Sequence, residues 1–185
     1  MMPPPVRDWP ATETGYGKTF GDAIIPEGPC GSYRYRLTRE PLTPYPCLGT
    51  ALFVMLNPST ADASLDDPTI RRCRRFVDSW GCAGITVANL HALQATNPMA
   101  LWSHVDPVGP DNDMYLSGVA AEYEDVVFAW GNNAKPGRVD KVYSIFKRRG
   151  RKIWCLGTTK SGAPRHPLYV RGDRPLIRWK RQEQS

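Results

Sequence analysis

At 185 residues, with 41% hydrophobic and 23% charged residues, the chain has the size and composition of one ordinary globular domain. No apolar run approaches the roughly 18 residues that a membrane-spanning helix needs, and the N-terminus lacks the apolar stretch of a signal peptide, so we expect a cytoplasmic protein without membrane contacts. The net charge of +6 suits a polyanionic partner such as nucleic acid, although charge alone does not identify one.

The cysteine pattern argues against a metal or disulfide framework. The five cysteines include no Cys-x-x-Cys pair, and their odd number in a chain without an export signal favours free thiols. A zinc site would need closer Cys and His spacing. We therefore expect no metal and no cofactor.

The first part of the chain predicts an arm followed by one domain. Residues 1–28 are rich in Pro, Gly and Thr and show no period, which predicts an N-terminal arm or loop, with a single domain over 29–185. Alternation over 31–39 predicts a strand at a sheet edge, and the continuous apolar run over 51–56 predicts a buried strand of a parallel sheet. The edge strand could pair with a second chain, but nothing in the sequence requires it, and we expect a monomer.

Strands and helices then alternate. A helix is expected over 68–80, with Asp67 as its N-cap and Pro68 in its first turn. The later predicted elements are a strand over 85–89, a long loop over 91–111, a helix from Asp111 or Asn112 to about Ala121, a strand over 126–130, a helix over 139–149 and a strand over 152–156. This order predicts an α/β fold with three αβα layers around a mostly parallel central sheet.

Polar residues follow several of the predicted strands. Asn57 follows the first buried strand, Asn89 ends the second, and His166 follows the last. Because ligands of such sheets bind beyond the carboxyl ends of the strands, we expect these three side chains to share one cleft. An Asn amide can read the edge of a base, and a His can donate to an oxygen that becomes negative as a base departs.

Four segments around these residues resemble motifs of the uracil-DNA glycosylase superfamily. They are MLNPSTAD, ITVANLHAL, VVFAWGNNA and HPLYV, in the order that the superfamily has them and over roughly residues 50–171. The chain also resembles an uncharacterised bacterial and phage family with LNPSTAD and HPLYL-like motifs. The resemblance implies a uracil-DNA-glycosylase-like fold and a nucleotide flipped out of the DNA duplex.

The resemblance also implies roles for individual residues. Asn57 would position the attacking water, Asn89 would bind the flipped base, and His166 would stabilise the departing base. The catalytic Asp of the superfamily is missing at position 57, so Asp62, or else Asp66 or Asp67, would supply a carboxylate. Further base contacts are expected from Ser59, Thr60 and His91. Asp66 and Asp67 could equally be N-capping residues.

A second set of residues is expected to contact the DNA strand. Its members are Arg72, Lys160, Ser161, Arg165, Leu168, Tyr169 and Arg171. Lys160 lies in a Thr-Thr-Lys-Ser-Gly loop that could hold a backbone phosphate. Leu168 or Tyr169 would fill the gap left in the base stack. Arg72 belongs to a basic helix face that could instead be a solvated surface.

These observations predict a monofunctional DNA glycosylase that leaves an abasic site, because no lysine matches a Schiff-base nucleophile. Small residues at Ser59 and Thr60, where the uracil-specific branch has a Tyr, favour a 5-substituted pyrimidine, including a glucosylated hydroxymethyl base, in defence against phages with modified DNA. Two alternatives stay open: a module that binds modified bases without cutting, and an enzyme acting on a nucleoside or nucleotide.

Overall fold

The computed structural model describes residues 24–28, 31–39, 49–59, 66–82 and 84–181. The strands are β1 (Ile24–Gly28), β2 (Gly31–Arg34), β3 (Leu37–Arg39), β4 (Ala51–Met55), β5 (Ile85–Asn89), β6 (Asp125–Phe128), β7 (Lys152–Cys155) and β8 (Ile177–Arg178). The helices are α1 (Pro68–Ser79), α2 (Pro98–Ser103), α3 (Asn112–Glu122) and α4 (Pro136–Arg148), and a short 3-10 turn spans Pro167–Tyr169.

Six strands form the central sheet in the order β3-β5-β4-β6-β7-β8. The four inner strands pair in parallel, with β4 between β5 and β6. The short edge strands β3 and β8 run antiparallel to their neighbours. The predicted α/β class with a mostly parallel central sheet is confirmed.

Side-chain alternation along the buried strands divides the core in two. Leu52 and Val54 of β4 face the helices α3 and α4, whereas Phe53 and Met55 face α1. Every residue of β4 is buried between the two halves. Helices therefore cover both faces of the sheet, and the domain has three layers.

Helix α1 begins as its sequence predicts. The side chain of Asp67 accepts a hydrogen bond from the Ile70 backbone N–H at 2.7 Å. Pro68 occupies the first turn, where a backbone N–H would have no partner within the helix, so its missing N–H costs no hydrogen bond. The buried face of the helix consists of Ile70, Cys73, Phe76 and Val77, with Trp80 directly after it.

Several elements differ from the sequence-based expectation. The last five residues of the expected arm, Ile24–Gly28, form β1 and pair with β2 in a separate two-stranded sheet. The single strand expected over 31–39 is divided, because β2 pairs with β1 while β3 pairs with β5. The expected loop over 91–111 contains the six-residue helix α2, which Asn97 caps.

The connections of β4 and β6 leave the sheet on opposite faces. From β4 the chain crosses to β5 through α1, on one face, and from β6 it crosses to β7 through α4, on the other. Neighbouring parallel strands whose connections diverge in this way leave a crevice at their carboxyl ends. Within the described ranges, no helix is long and apolar enough to cross a membrane.

Candidate functional site

A cleft of about 730 Å³ opens at the carboxyl ends of β4 and β6. Its walls come from the segments that follow β4, β6 and β7 and from the start of α1. Its floor is apolar and is made of Met55, Ile70, Val87 and Trp130. Polar side chains stand above this floor, a combination typical of a small-molecule or base pocket.

Among the asparagines that line the cleft, Asn57 and Asn89 use their amides differently. The Nδ2 atom of Asn57 donates to the backbone carbonyls of Ala95, at 2.7 Å, and Pro58, at 2.9 Å, so its Oδ1 is the atom left for a ligand or water. Asn89 is 4% exposed, and its side chain makes no hydrogen bond within the described residues. A buried amide without a protein partner is unfavourable unless a ligand or water satisfies it.

The backbone beneath Asn89 is fixed from behind. The fully buried side chain of Asn112 donates to the carbonyl oxygens of Asn89, at 3.1 Å, and Leu90, at 3.0 Å. Arg138 of α4 donates to the same Leu90 carbonyl at 2.6 Å and forms an ion pair with Asp113. Helices α3 and α4 therefore hold the end of β5 in one place, which fixes where the Asn89 amide lies in the cleft.

His166 lines the cleft as a neutral hydrogen-bond donor. Burial lowers the pKa of His166, and the carboxylate of Asp67 opposes this only in part. The Nδ1 atom accepts a long hydrogen bond, 3.4 Å, from the Leu168 backbone N–H, so the proton of the neutral ring is on Nε2. Gly131 follows β6 with φ of +76°, a conformation that favours glycine, and its backbone lies against the His166 side chain.

Asp67 is both a helix cap and part of the cleft wall. Its Oδ1 accepts from the Ile70 N–H, and its Oδ2 accepts from the hydroxyl of Ser59, which also lines the cleft. Its negative charge lies near the imidazole of His166. The described part of the cleft lining therefore contains one carboxylate and one neutral imidazole, beside the amides of Asn57 and Asn89, which lack a full set of partners.

Three basic residues line the same cleft, namely Arg34, Lys160 and Arg165. With Asp67 they leave the lining positive, which favours an anionic ligand. Beside His166, the apolar side chains of Leu168 and Tyr169 are 45% and 79% exposed. Large apolar side chains at a positive cleft are better explained by contact with a ligand than by folding.

Comparison with protein families gives one result. The family model described as "Protein of unknown function (DUF1643)" matches residues 34–168. The chain belongs to this family. No match was found to a protein of curated function or to a solved structure. The DUF1643 match includes every residue of the cleft lining except Tyr169.

The DUF1643 fold brings together most of the residues that the sequence singled out. Asn57, Ser59, Asn89, Lys160, Arg165, His166 and Tyr169 all line the cleft, and Leu168 lies in the 3-10 turn between two of them, His166 and Tyr169. Thr60 and Asp62 lie outside the described residues. The expected N-cap role of Asp67 is confirmed, whereas both oxygens of Asp66 bond to arginines, Arg39 and Arg74. Burial would raise the pKa of Asp66, but these two guanidinium groups lower it overall.

Four other expected site residues lie outside the cleft lining. The guanidinium of Arg72 donates to the Val170 carbonyl and lies over the Phe76 ring, so it anchors the segment after His166 to α1. The hydroxyl of Ser161 donates to the Asn132 side chain at 3.1 Å and thereby connects the loops after β6 and β7. Arg171 lines a neighbouring cavity and pairs with Asp173.

His91 is the fourth, and the structure places it in the core rather than at the base-binding position expected for it. It is buried against Trp102, and its Nδ1 has no hydrogen-bond partner. Burial, together with the nearby charge of Arg138, lowers the pKa of His91 to about 4. The side chain is therefore neutral near pH 7. The reason lies in strand geometry: two residues beyond Asn89, the chain has left β5 and crosses towards α2.

Sequence reasoning missed other parts of the lining. Asn132 and Asn133 follow β6 as Asn57 follows β4, so their place in the chain predicts them as lining residues in the same way. Arg34 ends β2, in a different sheet, and no local pattern connects it with the cleft. Among the described residues, no group of three or more His, Cys, Asp or Glu side chains is arranged to hold a metal ion.

Proposed function

We propose that the protein is a DNA glycosylase that hydrolyses the N-glycosidic bond of a flipped-out pyrimidine and leaves an abasic site. The observation that carries this proposal is the convergence of Asn57, Asn89 and His166 on one cleft, beside the exposed Leu168 and Tyr169. The resemblance to the uracil-DNA glycosylase superfamily would require residues as far apart in the chain as 57 and 166 to share one site, and the fact that both line this cleft supports the proposal.

The reaction breaks the bond between the sugar C1′ and the base nitrogen, and a water oxygen bonds to C1′. The base leaves with the electron pair of the broken bond and needs stabilisation as an anion. The Nε2–H of neutral His166 can donate a hydrogen bond to an oxygen of that base. The Oδ1 of Asn57 can accept from the attacking water, whose released proton neutralises the base.

Recognition and charge would be divided among the other residues of the cleft. The buried Asn89 amide offers a donor and an acceptor to the edge of a base. The carboxylate of Asp67 can stabilise the positive charge that develops on the sugar. Lys160 and Arg165 would bind phosphates of the strand, and Tyr169 or Leu168 would occupy the vacated position in the duplex.

We further propose a 5-substituted pyrimidine as the base and a uracil-DNA-glycosylase-like fold. Supporting the first is the small side chain of Ser59, which is held against Asp67 and occupies little of the roughly 730 Å³ cleft. Supporting the second is the parallel sheet with helices on both faces, together with four motif-like segments in superfamily order.

The test is to incubate the protein with DNA duplexes that carry uracil, a thymine mismatch, 5-hydroxymethylcytosine, glucosylated 5-hydroxymethylcytosine or no modification, and then to cleave abasic sites with alkali. We expect breaks in one modified duplex. The His166→Ala variant should lose on the order of a hundredfold in rate, since one well-placed donor contributes about 3–4 kcal/mol. His104→Ala, outside the cleft, is the control.

Three outcomes would contradict the proposal. Equal or faster cleavage of the duplex with plain uracil would exclude a 5-substituted pyrimidine as the preferred base. DNA binding without breaks would indicate a module that only recognises bases. Neither breaks nor binding would direct attention to a free nucleoside or nucleotide.

A further inference from the structure

A second cavity of about 420 Å³ adjoins the cleft and shares Arg165 and Tyr169 with it. The rest of its lining comes from the end of β7 and from the segment after the 3-10 turn. Besides Arg165, two arginines of that segment, Arg171 and Arg174, line the cavity, with Asp173 as the one carboxylate among its described residues. Its chemistry is therefore that of an anion site.

Two of these arginines pack against a glycine that follows β7. Gly157 has φ of +108°, a conformation that other residues rarely adopt. A Cβ at this position would lie 3.4 Å from Nη2 of Arg174 and 3.7 Å from Cδ of Arg165. Arg165 is fixed in addition by the bond from its Nε to the Thr158 carbonyl at 2.9 Å. The two arginines therefore lie over the same glycine.

The charge at this position is not balanced within the described residues. Arg171 pairs with Asp173 at 3.0 Å, whereas neither Arg165 nor Arg174 forms an ion pair in the described part of the chain. Guanidinium groups that line one cavity without paired carboxylates repel each other, and an anion bound in that cavity would offset the repulsion. Planar guanidinium groups bind a phosphate through paired hydrogen bonds.

We propose that this cavity binds a backbone phosphate of the DNA strand whose nucleotide occupies the cleft, with Arg174 and Arg165 as its ligands. The inference rests on the proposed function. Tyr169 supports the DNA strand as the source of the phosphate, because its exposed ring belongs to the walls of both cavities. A strand that places one nucleotide in the cleft passes Tyr169, and its adjoining phosphodiester reaches the arginines.

The experiment measures the affinity for an unmodified duplex of about 20 base pairs over a series of salt concentrations. Replacing one phosphate ligand reduces the slope of log affinity against log salt by about one. We expect this reduction, with about tenfold weaker binding at moderate salt, for Arg174→Ala. The control is Arg149→Ala, at the opposite end of the sheet, and it should leave the slope unchanged. Arg174→Lys should restore the slope and only part of the affinity.

A phosphate scan then tests the position of the contact. Methylphosphonates, which lack the phosphate charge, replace single phosphates on either side of the base that the protein excises. At one position next to that base, the replacement should weaken binding by the wild type but not by Arg174→Ala. Additive effects at every position would overturn the proposal, as would an unchanged salt slope.

Inorganic phosphate separates the two possible sources of the ligand. Saturable binding of free phosphate that Arg174→Ala abolishes, combined with an unchanged DNA salt slope, would assign the cavity to a free phosphate and overturn the DNA contact. The salt slope needs no excision. A reduced salt slope without breaks would therefore exclude glycosylase activity and support the phosphate site. Breaks with an unchanged salt slope would support glycosylase activity and exclude the phosphate site.

Discussion

The side-chain amide of Asn112 donates to the backbone carbonyl of Asn89 at 3.1 Å. Asn112 is fully buried at the start of α3, and the same Nδ2 atom reaches Leu90 at 3.0 Å. The residue that we expect to read the base is thus held by a residue that lies outside the cleft lining. A side chain without protein partners can be selective only if its backbone cannot shift to suit the wrong ligand.

Replacing Asn112 with Ala should therefore affect stability and recognition together. Two buried carbonyls lose a donor, and we expect a loss of about 1–3 kcal/mol in the free energy of unfolding, measured by urea denaturation. Discrimination between the preferred duplex and an unmodified one should fall as well. Val142→Ala, which removes buried atoms from α4, is the control for stability loss alone. Unchanged discrimination in Asn112→Ala would contradict a positioning role.

The two roles of Asp67, as N-cap of α1 and as carboxylate of the cleft wall, can be separated by two substitutions. Asn is as good an N-cap as Asp, so Asp67→Asn should keep the stability of the wild type to within about 0.5 kcal/mol, whereas Asp67→Ala should lose about 1 kcal/mol. Both variants remove the charge from the cleft, and both should reduce single-turnover excision at least about tenfold. Full activity in Asp67→Asn would show that the carboxylate serves the helix alone.

The exposed ring of Tyr169 should matter for duplex DNA in particular. Stacking of a base on an aromatic ring is worth about 1–3 kcal/mol, so Tyr169→Ala should slow excision from a duplex about tenfold or more. A single strand leaves no paired gap to fill, and its excision should change much less. Met114, 65% exposed on α3, provides a control, since Met114→Ala should alter neither rate. An equal loss on both substrates would contradict a role in filling the duplex.

The acid sensitivity of folding should depend on His91. The pKa of this histidine is about 4 in the folded protein and about 6.5 in the unfolded chain, so between these values the unfolded state binds more protons. Stability is therefore complete above about pH 6.5 and falls as the pH is lowered towards 4. Between pH 7 and 5 this group accounts for about 2 kcal/mol.

Urea denaturation of wild type and His91→Gln at both pH values measures this difference. We expect the pH-dependent loss to shrink by about that amount in the variant. His166, whose pKa is also lowered, contributes in the same direction, so some dependence should persist. An identical loss in wild type and variant would mean that His91 is protonated in the folded state as easily as in the unfolded one.

The buried strands and the position of the cleft could be predicted from the sequence because both depend on local patterns. The run at Ala51–Met55 is apolar throughout, and Asp67-Pro68 is a strong helix start. The carboxyl ends of parallel strands meet at one edge whatever the details of packing, which is why Asn57, Asn89 and His166 converge. Such inferences need only the order of the elements.

Features that depend on distant partners could not be predicted in this way. Alternation continues through 31–39, yet the chain changes sheets there because β2 and β3 have different neighbours. His91 looked like a cleft residue by its place in the chain, but its burial against Trp102 depends on where α2 packs. Arg34 enters the cleft from β2, and only the assembled fold shows it.

The turn between α4 and β7 lies at the end of the sheet opposite the cleft. Gly150, with φ of +69°, turns the chain there, and the residues around it are exposed. An inserted peptide or an attached surface anchor at this turn would leave the entrance to the cleft unobstructed. For the same reason, another domain could be attached at this turn without altering which ligand the cleft binds.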